Sequence, residues 1–397
     1  MKNNYKITPE GTRDLLFEEC TAINRVSDII KDIFLSKGYH QVITPGLEFF
    51  DTFSYARSGI APERMYKLTD NKGRLMVVRP DSTLPIARMV ATRLQKEVSP
   101  IKLFYNHAIY RNNAFLNGRS HEVNETGIEL LGATGQRADL EVIVTAIEVL
   151  QKIVPDFRLE LGNALFFKSL VEQLSVTDDV AEEIRFSIES KNYTALNNIL
   201  DSLPQSTAVN SLRRLPRLFG GVEVFEEAEK IFLNTSAQEA LNSLKKLYIA
   251  LAPMCMGDNI IIDLGLVQRN DYYSDVIFSG YVEGSGDAVL IGGRYDKLLD
   301  SFDATMPAAG FGVNVDELAK ILLQKDLVKH TPIAEILVHG DEGFEMEAIN
   351  KARFYTTSGI KNECSVFANR EEALAYAKLK LIKKVCFVSD DVEIIEL

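Results

Sequence analysis

Between Asn163 and Ala252 the chain stops alternating, and this break constrains the fold more than any other feature. Before it, helix-like and strand-like stretches follow one another. After it, strand signals return at Ile260 to Gly265. Within it, the apolar residues keep mostly helical spacing, with polar breaks near Pro204 and Gly220-Gly221. A helical block set between strand-bearing segments predicts an α+β domain carrying an inserted helical region, not a repeat array or a doubly wound sheet.

The flanking segments have clear periods. Ile23, Val26, Ile30, Ile33 and Phe34 recur at spacings of three and four, predicting a helix over Phe17 to Lys37 that Gly38 ends. Strands are expected at Tyr39 to Ile43, Leu75 to Val78, Lys102 to Tyr110, Gly127 to Leu131 and Phe157 to Leu161. Helices are expected at Ser82 to Leu94 and Arg137 to Val154. A long polar loop, Asn112 to Glu122, holds Gly118 and Arg119. Downstream, Tyr273 to Val282 and Ala288 to Ile291 read as a hairpin turned by Gly284-Ser285-Gly286-Asp287. These glycines read as a turn, because neither phosphate-loop nor dinucleotide spacing occurs in the chain. Phe311 to Val315 predicts a strand, and Asp316 to Leu322 begins a helix. From Pro332 onward, strands at Ile333 to Val338, Cys364 to Phe367 and Val385 to Val388 alternate with helices at Phe344 to Tyr355 and Arg370 to Ile382. They predict a small α/β unit. The expected division is therefore 1–325, including an insertion at about 163–252, and 332–397.

Composition narrows the function. The 397 residues carry 44 Lys+Arg against 56 Asp+Glu, a formal charge of -12. A chain whose main task is gripping nucleic acid would be basic in at least one domain, so this balance gives that reading no global support and leaves room only for a local basic patch; no tRNA partner is expected. Cys20, Cys255, Cys364 and Cys386 show no metal or redox spacing and predict mostly buried, reduced thiols in a cytoplasmic protein. The first ten residues lack the apolar core of a signal peptide, and no apolar run approaches the ~18–20 residues that span a bilayer. No membrane, metal or cofactor is expected.

Chemistry is expected where polar groups interrupt strands. Asp81, Arg111, Glu125 and Glu129 all lie beside strand-like stretches. Glu125 and Glu129 are four apart, so in an extended chain they share a face and can hold an ammonium or imidazolium group. A solvated sheet face is the alternative. The stretch from Asp263 adds Gln268, Arg269, Asp271 and the pair Tyr272-Tyr273. Adjacent tyrosines in a strand face opposite ways, so at most one lines a given pocket.

Several pieces together resemble histidyl-tRNA synthetases, in order and at close to family spacing from about residue 5 to 322. They are Thr8-Pro-Glu-Gly-Thr-Arg-Asp-Leu15, Arg79-Pro-Asp-Ser-Thr83, Tyr110-Arg111 with Gly118-Arg119, Glu125-Thr-Gly-Ile-Glu129, Asp271-Tyr-Tyr273, Gly292-Gly-Arg-Tyr-Asp296 and Gly310-Phe-Gly312. The resemblance implies a class II synthetase-like fold, an antiparallel sheet flanked by helices, assembled as a homodimer. The last unit resembles a shortened anticodon-binding domain. By resemblance, Asp81, Glu125, Glu129, Tyr272 and Tyr273 are histidine-binding, and Arg111, Arg119 and Gln268 mark a residual nucleotide-type pocket.

The departures carry as much information. Gln268 stands where the enzymes place an arginine that stabilises charge during histidine activation; Arg269 follows it, on the other face of an extended segment. Glu317 stands where an arginine meets the ATP γ-phosphate; a carboxylate there repels triphosphate. Asn113 replaces a glutamate and His121 an arginine of the same loop. On the amino-acid side, Asp81 shortens a glutamate and Glu125 replaces a glutamine. Each lost donor can cost roughly 3–4 kcal/mol of transition-state stabilisation, so aminoacylation is expected to be absent and no residue is assigned a catalytic role. A synthetase-like chain with a weakened ATP site and a retained amino-acid pocket resembles the regulatory-subunit family of ATP phosphoribosyltransferase. That resemblance implies no activity alone, partnership with a short catalytic subunit in a hetero-octamer, and histidine as feedback effector at the first step of histidine biosynthesis. A working synthetase or related ATP-dependent ligase, and a synthetase-like protein serving another partner or tRNA, are the competing readings.

Overall fold

The computed structural model describes residues 4–55, 58–113, 119–231, 235–254, 259–267, 272–327 and 333–397. The chain forms two compact units, Met1–Lys325 and Asp326–Leu397. In chain order, unit 1 contains α1 (Glu18–Ser36), β1 (His40–Gln41), β2 (Leu47–Phe49), α2 (Phe50–Tyr55), β3 (Lys67–Thr69), β4 (Leu75–Val78), α3 (Thr83–Arg93), β5 (Ile101–Tyr110), β6 (Glu122–Leu131), α4 (Gln136–Ile153) and β7 (Phe157–Asn163). The helices α5 to α10 follow, from Ala164 to Leu251, with the short strand β8 (Phe219–Gly220) among them. Then come β9 (Ile260–Asp263), β10 (Val276–Val282), β11 (Leu290–Arg294), β12 (Ala308–Asn314) and α11 (Val315–Gln324).

The main sheet has the order β1-β5-β6-β12-β11-β10-β7-β9-β8. Its centre is antiparallel, as expected, but β1 pairs with β5 and β7 with β9 in parallel. The sheet is therefore mixed. A second sheet, β2-β4-β3, has three short strands, of which the sequence suggested only β4. Among the described residues the insertion's one strand is β8, which pairs with β9 and so ties the insertion to the main sheet.

α1 forms because Ala22, Val26, Ile30 and Phe34 repeat every four residues, and all four are fully buried. Full burial of each large aliphatic or aromatic group contributes roughly 1.5–3 kcal/mol. Phe34 meets Phe104 and Phe311, at ring distances of 5.8 and 5.9 Å, on one face of the main sheet. The helix ends at Gly38, whose φ of 79° suits a residue without Cβ. With Phe104, Ile128 and Phe311 committed to the helix-covered face, the alternate residues of the same strands point to the other. That face carries the polar groups.

Unit 2 has the sheet order β14-β13-β15-β16, with β13 (Ile336–Gly340) parallel to β14 (Asn362–Cys364) and β15 (Lys384–Val388). Alternation sorts its core. Ile336, Val338, Cys386 and Val388 pack with α12 (Glu345–Thr357), while Leu337, Val385 and Phe387 pack with α13 (Arg370–Leu379). The antiparallel edge strand β16 (Val392–Glu396) was not anticipated. Nor are the thiols mostly buried: Cys386 is, but Cys20 and Cys364 are exposed. Among the described residues, no helix is long and apolar enough to cross a membrane, and no cluster of His, Cys, Asp and Glu could hold a metal ion.

Candidate functional site

Register builds the site. On the polar face, Leu103, Glu129 and Gly310 are cross-strand partners, and so are Tyr105, Gly127 and Gly312. His107, Glu125 and Asn314 form the next row. Glu125 and Glu129 thus share one face across β6, as their spacing predicts. The strand begins at Glu122, five residues earlier than the apolar pattern suggested, because the pocket residues themselves make it polar. Glycine is required at Gly310: a Cβ there would collide with the Glu129 carboxylate and the Ile128 carbonyl. At Gly312 it would lie 2.9 Å from the Glu125 carboxyl carbon. Both glycines let the carboxylates lie flat across β12.

Asp81 enters from above, where the chain starts α3. Its Oδ1 accepts from Leu84 N at 3.1 Å, and its Oδ2 lies 3.8 Å from Arg111 Nη2. Arg111 Nε donates to Pro80 O at 2.7 Å. Tyr105 Oη donates to Glu125 at 2.9 Å, and Tyr295 Oη donates to Glu129. Burial pushes all three carboxyls above the usual carboxylate range, Glu129 well above it. Arg111 opposes this at Asp81 and Glu125. Asp81 adds to it at both glutamates, and Glu125 at Glu129. The three groups share one desolvated field.

The tyrosine pair behaves differently from a strand pair. Residues 272–275 precede β10 rather than belonging to it, so the two rings do not point apart. They lie 5.0 Å from each other, and both meet Tyr295, at 5.6 and 6.4 Å. Tyr272 sits in the field of Asp81, Glu129 and Arg111, with its phenol pushed well above its usual range, first by burial. Tyr273 packs into the apolar core beside Ile277 and over Gly293.

Most residues that the resemblance relates to a nucleotide make other contacts. Arg119 pairs with Asp287 of the hairpin turn at 2.7 Å. Glu317 pairs with Lys320 at 2.9 Å along α11. His121 is buried against Gly11, bonds to Tyr66 Oη at 2.5 Å, and donates its backbone N–H to Gly11 O at 2.7 Å. Asn113 bridges Arg64 and Ser120 O. Gln268, with Arg269, Asp271 and Gly118, lies outside the described residues.

Four contributors were not assigned a role from the sequence. Tyr105 and Tyr295 resemble ordinary core aromatics, and Thr83, whose hydroxyl bonds Glu129, resembles a helix cap. His107 was the most accessible in principle, since it shares strand parity with Arg111. It is buried, stacks on Tyr105 at 5.5 Å and lies 3.4 Å from Ser82 Oγ, while its Nε2 has no partner among the described residues. Burial and the Arg79 charge push its pKa down to about 4, so the ring is neutral at pH 7.

A flat sheet floor cleared by glycines, a helix-start carboxylate and an aromatic wall come together on one face of a sheet of the class II synthetase-like type. The histidyl-tRNA synthetase family model matches residues 11–318. A crystal structure from Bacillus halodurans described as an ATP phosphoribosyltransferase regulatory subunit/histidyl-tRNA synthetase is similar, with TM-score 0.83 and 28% identity. It covers 96% of this chain and 98% of that one. The histidyl-tRNA synthetase of Nostoc shares the fold at TM-score 0.72 and 16% identity, covering 98% of this chain and 94% of that one. The ATP phosphoribosyltransferase regulatory subunit of Clostridium acetobutylicum is 40% identical over 392 residues, covering 97% of this chain and 96% of the relative. That of Bacillus cereus is 37% identical over 386 residues, covering 96% and 91%. The chain belongs to the ATP phosphoribosyltransferase regulatory-subunit family, within the histidyl-tRNA synthetase-like class.

Proposed function

We propose that this chain activates a short-form ATP phosphoribosyltransferase catalytic subunit, which is inactive without it, and relays histidine feedback to it at the first step of histidine biosynthesis. The two assemble as a hetero-octamer, and the chain alone is a homodimer without catalytic activity. Histidine acts at least partly through the pocket of Asp81, Glu125, Glu129 and Tyr272, buttressed by Tyr273.

The observation that carries this reading is the contrast between the two halves of the inherited site. The carboxylates of the amino-acid side converge, buried and short of cations, on one floor. On the nucleotide side, Arg119, Glu317 and His121 are each turned to protein partners. Adenylation needs cations poised where charge develops, and a side chain already paired must be released first. Feedback further requires two states with different histidine affinity, so the catalytic subunit must alter the pocket and histidine must reciprocally alter their coupling.

The test is co-purification and reconstitution. The chain is expected to capture a short transferase subunit and to raise its activity, with inhibition by histidine. A working synthetase is the competing reading, and histidine-dependent pyrophosphate exchange separates the two. Robust exchange by the purified chain at micromolar ATP would establish the synthetase instead.

A further inference from the structure

The aromatic wall of the pocket is fastened to the helical insertion. Residues 272–275 precede β10, so their backbone groups lie outside its ladder and need partners of their own. Those partners come from two directions. From the end of β11, Ser274 N donates to Arg294 O at 2.8 Å, and Asp296 N donates to Ser274 Oγ at 3.0 Å. Arg294 is buried and held by Asp139 of α4, Nε to Oδ1 at 2.7 Å. From the other side come three groups around α5 (Ala164–Val171), the helix that opens the insertion. Ala164 N donates to Asp275 O at 2.9 Å, Asn163 Nδ2 to Asp275 Oδ1 at 2.5 Å, and Lys168 Nζ to Tyr273 O at 2.6 Å.

These tethers differ in kind. Asn163 is the register partner of Val276, so the bonds to Asp275 continue the pairing of β7 with β10. The bonds to Ser274 likewise come from a strand end of the same sheet. Lys168 is different. It lies one turn into α5, on a helix that packs against α8 (Thr207–Arg214) and α10 (Thr235–Leu251) of the insertion. Its charge-assisted bond reaches the carbonyl of a wall residue itself. A displacement of α5 is thereby carried to Tyr273, and across the 5.0 Å ring contact to Tyr272. We propose that Lys168 is a positioning residue of the pocket: by holding the Tyr273 carbonyl it ties the aromatic wall to α5, so that histidine affinity and the placement of the insertion depend on each other. The inference rests on the effector-pocket reading above and names the element through which that pocket communicates. Such coupling is reciprocal. Whatever shifts α5 changes the affinity for histidine, and bound histidine steadies α5 by the same free energy.

The experiment pairs titration calorimetry with amide hydrogen exchange on the full chain, with L-histidine carried to millimolar concentration. Lys168→Met keeps most of the stem and removes the donor, while Lys168→Arg keeps a charged donor. Lys168→Met is expected to weaken histidine binding by about three- to tenfold, part of what a charge-assisted bond contributes, and Lys168→Arg to restore most of that loss. In wild type, saturating histidine is expected to slow exchange across α5. In Lys168→Met at equal saturation that slowing is expected to be lost. Lys168→Gln is read in the same way if Lys168→Met does not fold. Histidine binding that depends on Glu129 but is unchanged in Lys168→Met overturns the inference and leaves the effector reading standing. So does α5 exchange that ignores histidine in wild type, or slowing that persists in Lys168→Met. Wild type that does not bind histidine, or binding indifferent to Glu129→Gln, overturns the effector reading and this inference with it.

Discussion

Tyr295 donates its phenolic hydrogen to Glu129, a residue 166 positions earlier in the chain. The bond joins the turn after β11 to the C-terminal part of β6. It satisfies a carboxylate whose burial is close to complete. Tyr295→Phe keeps the ring contacts with Tyr272 and Tyr273 but leaves Glu129 with one hydroxyl fewer. We expect a stability loss of about 1–3 kcal/mol, measured by urea denaturation. An unchanged midpoint would mean that Thr83 alone satisfies the carboxylate.

Glu129→Gln removes the acceptor charge while preserving shape. A charge-assisted bond contributes roughly 1.5–3 kcal/mol, so histidine binding should weaken ten- to a hundredfold. Inhibition curves of the reconstituted complex should shift by the same factor. Unchanged inhibition would assign the feedback site to the catalytic subunit or to the boundary between subunits.

Asp263 offers a pH test away from the pocket. Its carboxyl accepts from Gly265 N at 2.8 Å, and burial, reinforced by Glu160, pushes its pKa to about 6. The native state therefore holds this proton more tightly than the unfolded chain does. Stability falls as pH rises from the ordinary value of 3.8 to about 6, and the penalty is complete above that. Asn keeps the acceptor and removes the titration. Asp263→Asn should thus be more stable than wild type at pH 7, by roughly 1.4 kcal/mol for each unit of the shift at most, and should lose that advantage below pH 4. A difference that does not vary with pH would refute the assignment.

Self-association has a visible candidate surface. Ile43, Leu47, Phe49 and Leu75 remain 79%, 46%, 42% and 42% exposed around β2 and β4. Obligate interfaces often bury about 2,000–5,000 Å² and are more apolar than the average surface. Light scattering at micromolar concentration should give the mass of two chains, and Phe49→Glu should shift it toward one. A monomeric wild type would contradict the proposed assembly.

In the core, Phe34→Ala removes the ring that joins Phe104 and Phe311 beneath the sheet. A loss of about 3–5 kcal/mol is expected by thermal or urea unfolding.

Local period made the long elements readable. α1, α3, α4 and β5 match their expected spans to within a residue or so, because each presents an apolar stripe long enough to show its repeat. β2 and β3 are three residues each, too short to display alternation. β6 was truncated because Glu122 to Glu125 looks polar until the neighbouring strand shows that its face is a pocket floor. The tyrosine pair was treated as a strand, while β10 starts three residues after Tyr273.

The sequence alone determined the parity that puts Glu125 and Glu129 on one face, the glycines at Gly310 and Gly312, and the presence of Glu317 where a cation would be needed. These follow from residue identity and from two-residue periodicity, which any strand must obey. Only the tertiary structure decided that Asp81 meets those carboxylates, that Tyr105 and Tyr295 donate to them, and that Arg119 and His121 turn to Asp287 and Tyr66. It also decided the protonation of the site, because desolvation depends on what other segments bury. Those segments come together through strand register and side-chain packing across more than a hundred residues of chain, and no local pattern records that.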